Sequence, residues 1–213
     1  MDFNDLLSIV GDLPVFETGL LLSGDVRPAD VRKQLSRWTA SSKLYQLRRG
    51  LYSLAPPYQK VRPHPFLIAN QLQTGSYVSL QSALAYYGMI PEYTPVTTSV
   101  STGRPIICQT PFGQFDYRHI QISWFQGYRK LDLGNEQTAF IASPEKALLD
   151  LVYLQPGGSS KEYLQSLRLQ ALDQMDREQL RRLAGAAGKP KLHRALHVIE
   201  QLIDEEMTGY ETL

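Results

Sequence analysis

Three ionisable residues in the phrase IASPEKALLD stand at a spacing that could support hydrolysis of nucleic acid. Glu145, Lys146 and Asp150 resemble part of a metal-dependent nuclease site, in which carboxylates hold the metal ion. Such sites usually place one residue between the acid and the lysine, whereas Glu145 and Lys146 are adjacent. A carboxylate in the first turn of a helix also stabilises the helix dipole, which is a sufficient role for Glu145. We therefore predict a structural cluster, and we predict that the protein is not an enzyme.

Other combinations of residues that could carry chemistry are incomplete. His193 and His197 stand four residues apart, as metal ligands on one helix face do, but no glutamate lies between them and no third ligand is evident. The single cysteine, Cys108, has no recognisable neighbouring base and cannot form an intramolecular disulfide. No serine occupies a Gly-x-Ser-x-Gly elbow, and no Gly-rich loop follows a strand. The sequence predicts no catalytic residue, no metal site and no cofactor.

A local concentration of cations is the chemical feature that remains. Between Arg27 and Lys60 the chain has eight Lys and Arg residues against Asp30 alone, although its formal net charge is only +1. Residues 61–157, by contrast, hold six Lys and Arg residues against six Asp and Glu residues. A charge this local suits the phosphate backbone of duplex DNA. The alternative is an ordinary solvated basic surface.

A helix and a hairpin would position these cations. The segment PADVRKQLSRWTA predicts a helix that opens at Pro28 and places Val31, Leu35 and Trp38 on one face. At about 100° per residue, the opposite face holds Lys33, Ser36, Arg37 and Ala40. Such a face is suited to the major groove of DNA.

The hairpin follows the helix directly. The strand-like runs Leu44–Leu47 and Leu51–Leu54 flank Arg48-Arg49-Gly50, and Gly50 supplies the positive φ that a tight turn needs. Adjacent like charges repel each other unless they face phosphates, so we expect Arg48 and Arg49 to project outward at the tip. The predicted DNA-binding residues are Arg27, Arg32, Lys33, Ser36, Arg37, Lys43, Arg48 and Arg49.

The order of the N-terminal elements predicts a winged helix-turn-helix over residues 1–56. Asp2–Gly11 and Phe16–Leu22 are helix candidates, Ser23-Gly24 is a turn, and the cationic helix and hairpin follow. In this motif the third helix lies in the major groove and the hairpin contacts the DNA backbone or the minor groove. The first two helices would form supporting core.

For residues 60–213 the sequence predicts a domain that mixes helices and strands, with a small, mostly antiparallel sheet and a helical tail. Together with the N-terminal winged helix-turn-helix, this gives the whole chain the predicted fold class α+β. Strand signals lie at Val96–Ser101, Phe115–Ile122 and Thr138–Ile141. Helix signals lie at His64–Leu72, after an N-cap at Ser79, after an N-cap at Ser143, and at Lys161–Ala171, Arg177–Ala186 and Lys191–Met207.

Composition points to an ordinary soluble chain. The 213 residues are 43% hydrophobic and 20% charged, and they allow one or two domains. No run approaches the ~18 apolar residues of a membrane span, since the nearest, Ala147–Leu154, is broken by Asp150. The N-terminus lacks the cationic start of a signal peptide, and a single cysteine fits a reducing compartment. We expect a cytoplasmic protein without membrane contact.

Three longer phrases, taken in order, resemble a known family. RRGLYSL ends the N-terminal segment, YVSLQSALAYYGMI follows it, and IASPEKALLDLVY comes after the strand-rich middle. Together they resemble the AbiEi-like antitoxins of bacterial type IV abortive-infection toxin–antitoxin systems, over roughly residues 1–155. The resemblance implies an N-terminal domain that represses the operon's own promoter. It also implies a C-terminal domain that counteracts a nucleotidyltransferase-like toxin without forming a stable complex.

The predicted partner is therefore double-stranded promoter DNA, and the resemblance adds a functional, non-complexing toxin partner. Operators of such motifs are commonly paired half-sites, so we expect two protomers on each operator. No long heptad seam is present, which favours a monomer or a weak dimer in free solution. Two alternatives stay open, namely a stand-alone winged-helix regulator with no cognate toxin and a protein-interaction module whose helical tail makes the contact.

Overall fold

A computed structural model of the protein describes residues 1–23, 26–91 and 94–211. Within these ranges the helices are α1 (Phe3–Val10), α2 (Pro28–Ala40), α3 (Pro65–Leu72), α4 (Leu80–Tyr86), α5 (Pro144–Leu154), α6 (Lys161–Ser166), α7 (Arg177–Ala187) and α8 (Pro190–Glu211). The strands are β1 (Phe16–Glu17), β2 (Leu44–Arg48), β3 (Leu51–Leu54), β4 (Ser76–Val78), β5 (Val96–Ser101), β6 (Ile106–Thr110), β7 (Gly113–His119), β8 (Tyr128–Asp132) and β9 (Thr138–Ala142). The predicted α+β fold class is confirmed.

The N-terminal region, residues 1–58, combines two helices with a three-stranded antiparallel sheet of order β1-β3-β2. Helix α1 begins with a capping box between Asp2 and Asp5, which satisfies backbone N–H groups at the start of the helix. Its buried residues meet those of α2 and the sheet in a separate hydrophobic cluster. The helices predicted over Asp2–Gly11 and from Pro28 are confirmed.

The helix predicted over Phe16–Leu22 is wrong. Phe16 and Glu17 form strand β1, and only Thr18–Leu22 is helical, as a 3-10 turn. The reason is tertiary, because Phe16 pairs with Tyr52 of β3 and the N–H of Thr18 donates to the carbonyl of Gly50 at 2.8 Å. Backbone groups used by the sheet are not available to an α-helix. The predicted Ser23-Gly24 turn includes Gly24, which lies outside the described residues.

A six-stranded sheet of order β6-β7-β5-β4-β9-β8 forms the centre of the C-terminal region, residues 60–211. The sheet is mixed: three of its five strand pairs are antiparallel, which is the predicted majority, whereas β5 pairs with β7 in parallel over six residues and β4 pairs with β9 in parallel. The three predicted strands are present. Strands β4, β6 and β8 have no counterpart in the sequence prediction, since they are short or lack alternating hydrophobicity.

Helices cover both faces of this sheet. The hydroxyl of Tyr117 on β7 donates to the carbonyl of Ala69 in α3 at 2.7 Å. The hydroxyl of Tyr77 on β4 donates to Asp150 in α5 at 3.1 Å. The register partners of these two tyrosines on β5 are adjacent residues, and adjacent residues of a strand point to opposite faces. Helices α3 and α5 therefore lie on opposite sides of the sheet.

The tail is helical, as predicted, but the helix predicted over Lys161–Ala171 ends at Ser166. Arg168 and Ala171 have left-handed backbone conformations, with φ of 48° and 53°, which a continuing α-helix cannot accommodate. The last helix, α8, buries a stripe of apolar side chains in the main hydrophobic cluster, namely Leu192, Ala195, Ile199 and Ile203. This stripe is covered within the protein.

The hairpin of β2 and β3 packs on the C-terminal region. Leu47 and Leu51 are buried in the main cluster around the six-stranded sheet rather than in the N-terminal cluster. The ring of Tyr45 meets Phe112 edge-on, with 5.7 Å between ring centroids. The register of β2 against β3 shifts between Gln46 and Arg48. A β-bulge of this kind changes the direction of the intervening side chain, Leu47. One face of the hairpin is consequently occupied by the rest of the molecule.

Candidate nucleic-acid interface

Helix α2 is held by its apolar face and presents its polar face to solvent. Pro28 is its first residue, where a missing N–H costs nothing. Val31 and Leu35 are buried, with exposed fractions of 3% and 0%. Trp38 is half-buried and meets the ring of Phe3 edge-on at 5.4 Å. The orientation of α2 is therefore fixed from one side only.

Four predicted cations of α2 and its N-cap are exposed, and so is Ser36: Arg27, Arg32, Lys33 and Arg37. None of the four makes an ion pair with any residue in the described ranges. Lys33 and Arg37 stand four residues apart, so they are neighbours on one helix face. Like charges at this spacing destabilise an isolated helix by about 0.2–0.5 kcal/mol. The exposed side of α2 is a cationic surface that includes one acid, Asp30, and its cations form no ion pair within the described residues.

Unlike the four exposed cations, the predicted DNA-binding residue Lys43 contacts an aromatic ring of the N-terminal region. It is half-buried, and its ammonium lies 4.4 Å from the centroid of the Phe3 ring. A cation over an aromatic face is attracted by the negative potential of the ring. Lys43 is thereby held against the N-terminal core, between α2 and the hairpin.

Arg48 and Arg49 do not both project outward, so that part of the prediction is wrong. The guanidinium of Arg48 donates to the carbonyl of Gln71 at 3.0 Å and pairs with Glu17 at 3.2 Å. Gln71 lies in the last turn of α3, where helical carbonyls lack intrahelical partners and a guanidinium can bind them. Arg49 is exposed and makes no ion pair within the described residues. Only Arg49 of the two tip arginines is therefore available to a ligand.

The cluster singled out at the start of α5 is buried. Lys146 and Asp150 both have exposed fractions of 0%, and their Nζ and Oδ1 atoms are 2.5 Å apart. The other oxygen of Asp150 accepts hydrogen bonds from Ser79 at 2.7 Å and Tyr77 at 3.1 Å. The ammonium of Lys146 also lies 3.5 Å from the centroid of the Trp124 ring. Burial lowers the pKa of Lys146 to about 8, against the opposing effect of the Asp150 carboxylate.

Ser79 follows strand β4 and precedes α4, as predicted for an N-cap, but its hydroxyl makes no cap hydrogen bond. The Asp150 carboxylate takes that hydroxyl instead. Tyr77, Ser79 and Trp124 were missed by sequence reasoning as partners of Asp150 and Lys146. No local signal connects them, because Tyr77 and Asp150 are 73 residues apart.

Glu145 does not join Lys146 and Asp150 in one site. Its carboxylate accepts hydrogen bonds from the backbone N–H of Asp176 and the side-chain amide of Gln179, both at 3.0 Å. Glu145 thus faces other partners than Lys146 and Asp150, which bind each other and have no solvent access. The arrangement is an internal ion pair with satisfied hydrogen bonds.

The remaining candidates lie apart from one another. His193 and His197 are both exposed on α8, and the Nε2 atom of His197 lies 3.2 Å from Gln201 Nε2. Cys108 is half-buried on β6, where burial raises the pKa of its thiol. In the described ranges no three His, Cys, Asp or Glu side chains are grouped so that they could hold a metal ion.

The described helices include none that is long and apolar enough to cross a membrane. The sequence matches no model of a known protein family and no curated protein.

Proposed function

We propose that this protein binds double-stranded DNA through the exposed side of α2 and represses its own promoter. The observation that carries the proposal is the set of four exposed cations, which have no acidic partner in the described residues. Exposed Lys and Arg side chains bind phosphates and base edges without first breaking internal bonds. The bound α2 would lie in the major groove, where Arg37 and Lys33 reach bases or phosphates.

The surroundings of α2 support a winged helix-turn-helix as the binding unit. Helix α1, strand β1, the 3-10 helix Thr18–Leu22, α2 and the hairpin follow one another, so that the 3-10 helix stands in the place of the second predicted helix. Because the hairpin packs on the C-terminal region through Leu47 and Leu51, its contribution to DNA binding is limited to the exposed tip at Arg49. Recognition would rest mainly on the helix.

A mobility-shift titration with DNA from upstream of the gene tests this proposal. The expected result is a specific complex that resists an excess of random duplex, with two shifted species if two protomers bind paired half-sites. Lys33→Ala/Arg37→Ala should weaken the specific complex strongly while leaving an affinity that can still be measured. The matched control is Lys60→Ala, because Lys60 already pairs with Asp12 at 3.0 Å. Absence of a complex on every upstream fragment would overturn the proposal.

We also propose that the C-terminal region acts as the antitoxin of a type IV system. The support is the resemblance of the phrases YVSLQSALAYYGMI and IASPEKALLDLVY to that family. Truncation is a poor test, because removal of the hairpin would expose the core around Leu47 and Leu51. Full-length Lys33→Ala/Arg37→Ala should lose repression and still rescue growth when the toxin from the neighbouring gene is expressed. Failure of the wild type to rescue would leave a stand-alone regulator.

A further inference from the structure

A cavity of about 550 Å³ lies in the C-terminal region, between strand β8, the start of α5 and helix α7. Its volume lies within the range of pockets that hold small ligands, about 300–1,000 Å³. All of its lining residues lie after residue 86, so it is separate in sequence from the cationic side of α2. The cavity is a second region, apart from α2, where positively charged side chains lie close together.

Two arginines from different elements line this cavity. Arg129 comes from β8 and Arg182 from α7. Neither arginine makes an ion pair with another described residue. The guanidinium carbon of Arg129 lies 5.5 Å from the centroid of the Tyr87 ring, which restricts its position. Two guanidinium groups on one cavity, both without a carboxylate partner in the described residues, favour an anionic ligand. A phosphate fits best, because it accepts paired hydrogen bonds from arginine.

The acidic residue of the cavity forms no ion pair with either arginine, and its single negative charge is outweighed by the two guanidinium groups. Glu145 is buried, and its two oxygens accept hydrogen bonds from the N–H of Asp176 and the amide of Gln179. Ser143 also lines the cavity, and its Oγ accepts hydrogen bonds from the N–H of Lys146 at 3.3 Å and from Gln179 at 2.7 Å. Its own hydroxyl proton remains available to a ligand oxygen.

An aromatic side chain completes the lining. Tyr128, which precedes Arg129 on β8 and lines the cavity, is 39% exposed although its ring already stacks on Tyr77 with 4.8 Å between ring centroids, while Met89 adds an apolar contact. Aromatic rings bind nucleobases by stacking, with little dependence on the base. We propose that this cavity binds a nucleoside monophosphate, with the phosphate between Arg129 and Arg182 and the base against Tyr128.

Calorimetric titration of the full chain with AMP and with CMP tests the proposal, with inorganic phosphate and adenosine as the two partial ligands. The expected result is saturable binding of at least one nucleotide, tighter than binding of either partial ligand. Arg182→Ala and Arg129→Ala should each weaken nucleotide binding by about tenfold or more, as expected for loss of a charged hydrogen-bonding partner.

Two controls separate this site from general electrostatic attraction. Arg181→Ala removes the same charge one residue away, but Arg181 pairs with Glu200 at 2.6 Å and does not line the cavity, so nucleotide affinity should stay within about twofold. Lys33→Ala/Arg37→Ala should also leave nucleotide affinity unchanged, which distinguishes this site from the DNA surface.

Three results would overturn the proposal. The first is no binding of either nucleotide to the wild type. The second is inorganic phosphate that binds as tightly as AMP and CMP, which would leave an anion site without a base contact. The third is equal loss of affinity in Arg181→Ala and Arg182→Ala, which would show that the cavity is not the point of contact.

Discussion

Helices α2 and α5 both begin with a proline, and each carries a charged pair four residues apart, but the two pairs have opposite environments. In α2, Lys33 and Arg37 are exposed and have no acidic partner in the described part of the chain. In α5, Lys146 and Asp150 are wholly buried and bonded to each other. Charged residues four positions apart thus lie on the exposed surface in α2 and form an internal ion pair in α5.

The partners of a charge, rather than its place in the sequence, decide its function in these two helices. A buried ion pair is satisfied inside the protein, and removal of either member leaves an isolated charge in a region of low dielectric. An exposed like-charged pair gains nothing from the fold, and its charges remain accessible from solvent. Arg48 is a further example, because it belongs to the cationic segment yet binds Gln71 and Glu17.

The largest expected effect is on stability and lies in α5. Asp150→Asn should lower the free energy of unfolding by about 3–5 kcal/mol, because it leaves the Lys146 ammonium buried without its carboxylate. Urea denaturation measures this change. Glu205→Gln is the control, since it removes the acid of the exposed Lys161–Glu205 pair, 3.6 Å apart, and should cost less than about 1 kcal/mol. Similar losses in both variants would contradict a structural role for Asp150.

The next effect is on DNA affinity and lies in α2. Arg37→Ala should weaken binding to the specific upstream site by about 1–3 kcal/mol if the guanidinium pairs with a guanine. A random duplex of equal length should lose much less affinity. Equal losses on both duplexes would reduce Arg37 to a phosphate contact, and no loss on either would remove it from the interface. The thermal midpoint should stay unchanged, because Arg37 is exposed.

A smaller effect on stability is expected in the hairpin. Arg48→Ala removes the bond to the Gln71 carbonyl and the contact with Glu17. Because the Arg48 side chain is 37% exposed, the loss in unfolding free energy should be only about 1 kcal/mol. Chemical denaturation of Arg48→Ala and Arg49→Ala side by side measures the difference. Arg49→Ala should change the free energy of unfolding by less than about 0.5 kcal/mol. An Arg48→Ala protein as stable as Arg49→Ala would show that the contact contributes nothing.

The smallest expected effect concerns the hairpin tip on DNA. Arg49 is exposed, so one phosphate contact is the most that we expect from it. Its removal in Arg49→Ala should lower the slope of log affinity against log salt by about 0.9. Fluorescence anisotropy with a labelled duplex at several salt concentrations gives the slope. An unchanged slope would exclude the tip from the interface and leave α2 alone.

Local signals were sufficient to predict helices α2 and α5. Pro28 and the apolar spacing of Val31 and Leu35 predicted α2 and its exposed face, and the Ser143 cap, whose Oγ accepts the N–H of Lys146, predicted the start of α5. These features depend on neighbours within one or two turns, so the sequence displays them directly.

Contacts between distant residues were not predictable in this way. The partners of Asp150 at Ser79 and Tyr77 are 71 and 73 residues away, and Arg48 binds Gln71 from 23 residues away. The strand at Phe16 likewise exists because β3 pairs with it. Such features depend on packing, which a periodic pattern in one segment does not encode. That is why the exposed cations of α2 could be identified, while the internal use of Arg48 could not.

If the exposed cations of α2 form the DNA-binding surface, their removal must change how DNA affinity depends on salt. The decisive measurement is the affinity for the upstream duplex against salt concentration, for the wild type and for full-length Lys33→Ala/Arg37→Ala. We expect specific binding by the wild type and an unchanged thermal midpoint in the variant. The log–log slope of the variant should be lower by about 0.9 for each phosphate that it no longer neutralises. A variant that is folded and binds with the affinity and slope of the wild type would contradict DNA binding through α2.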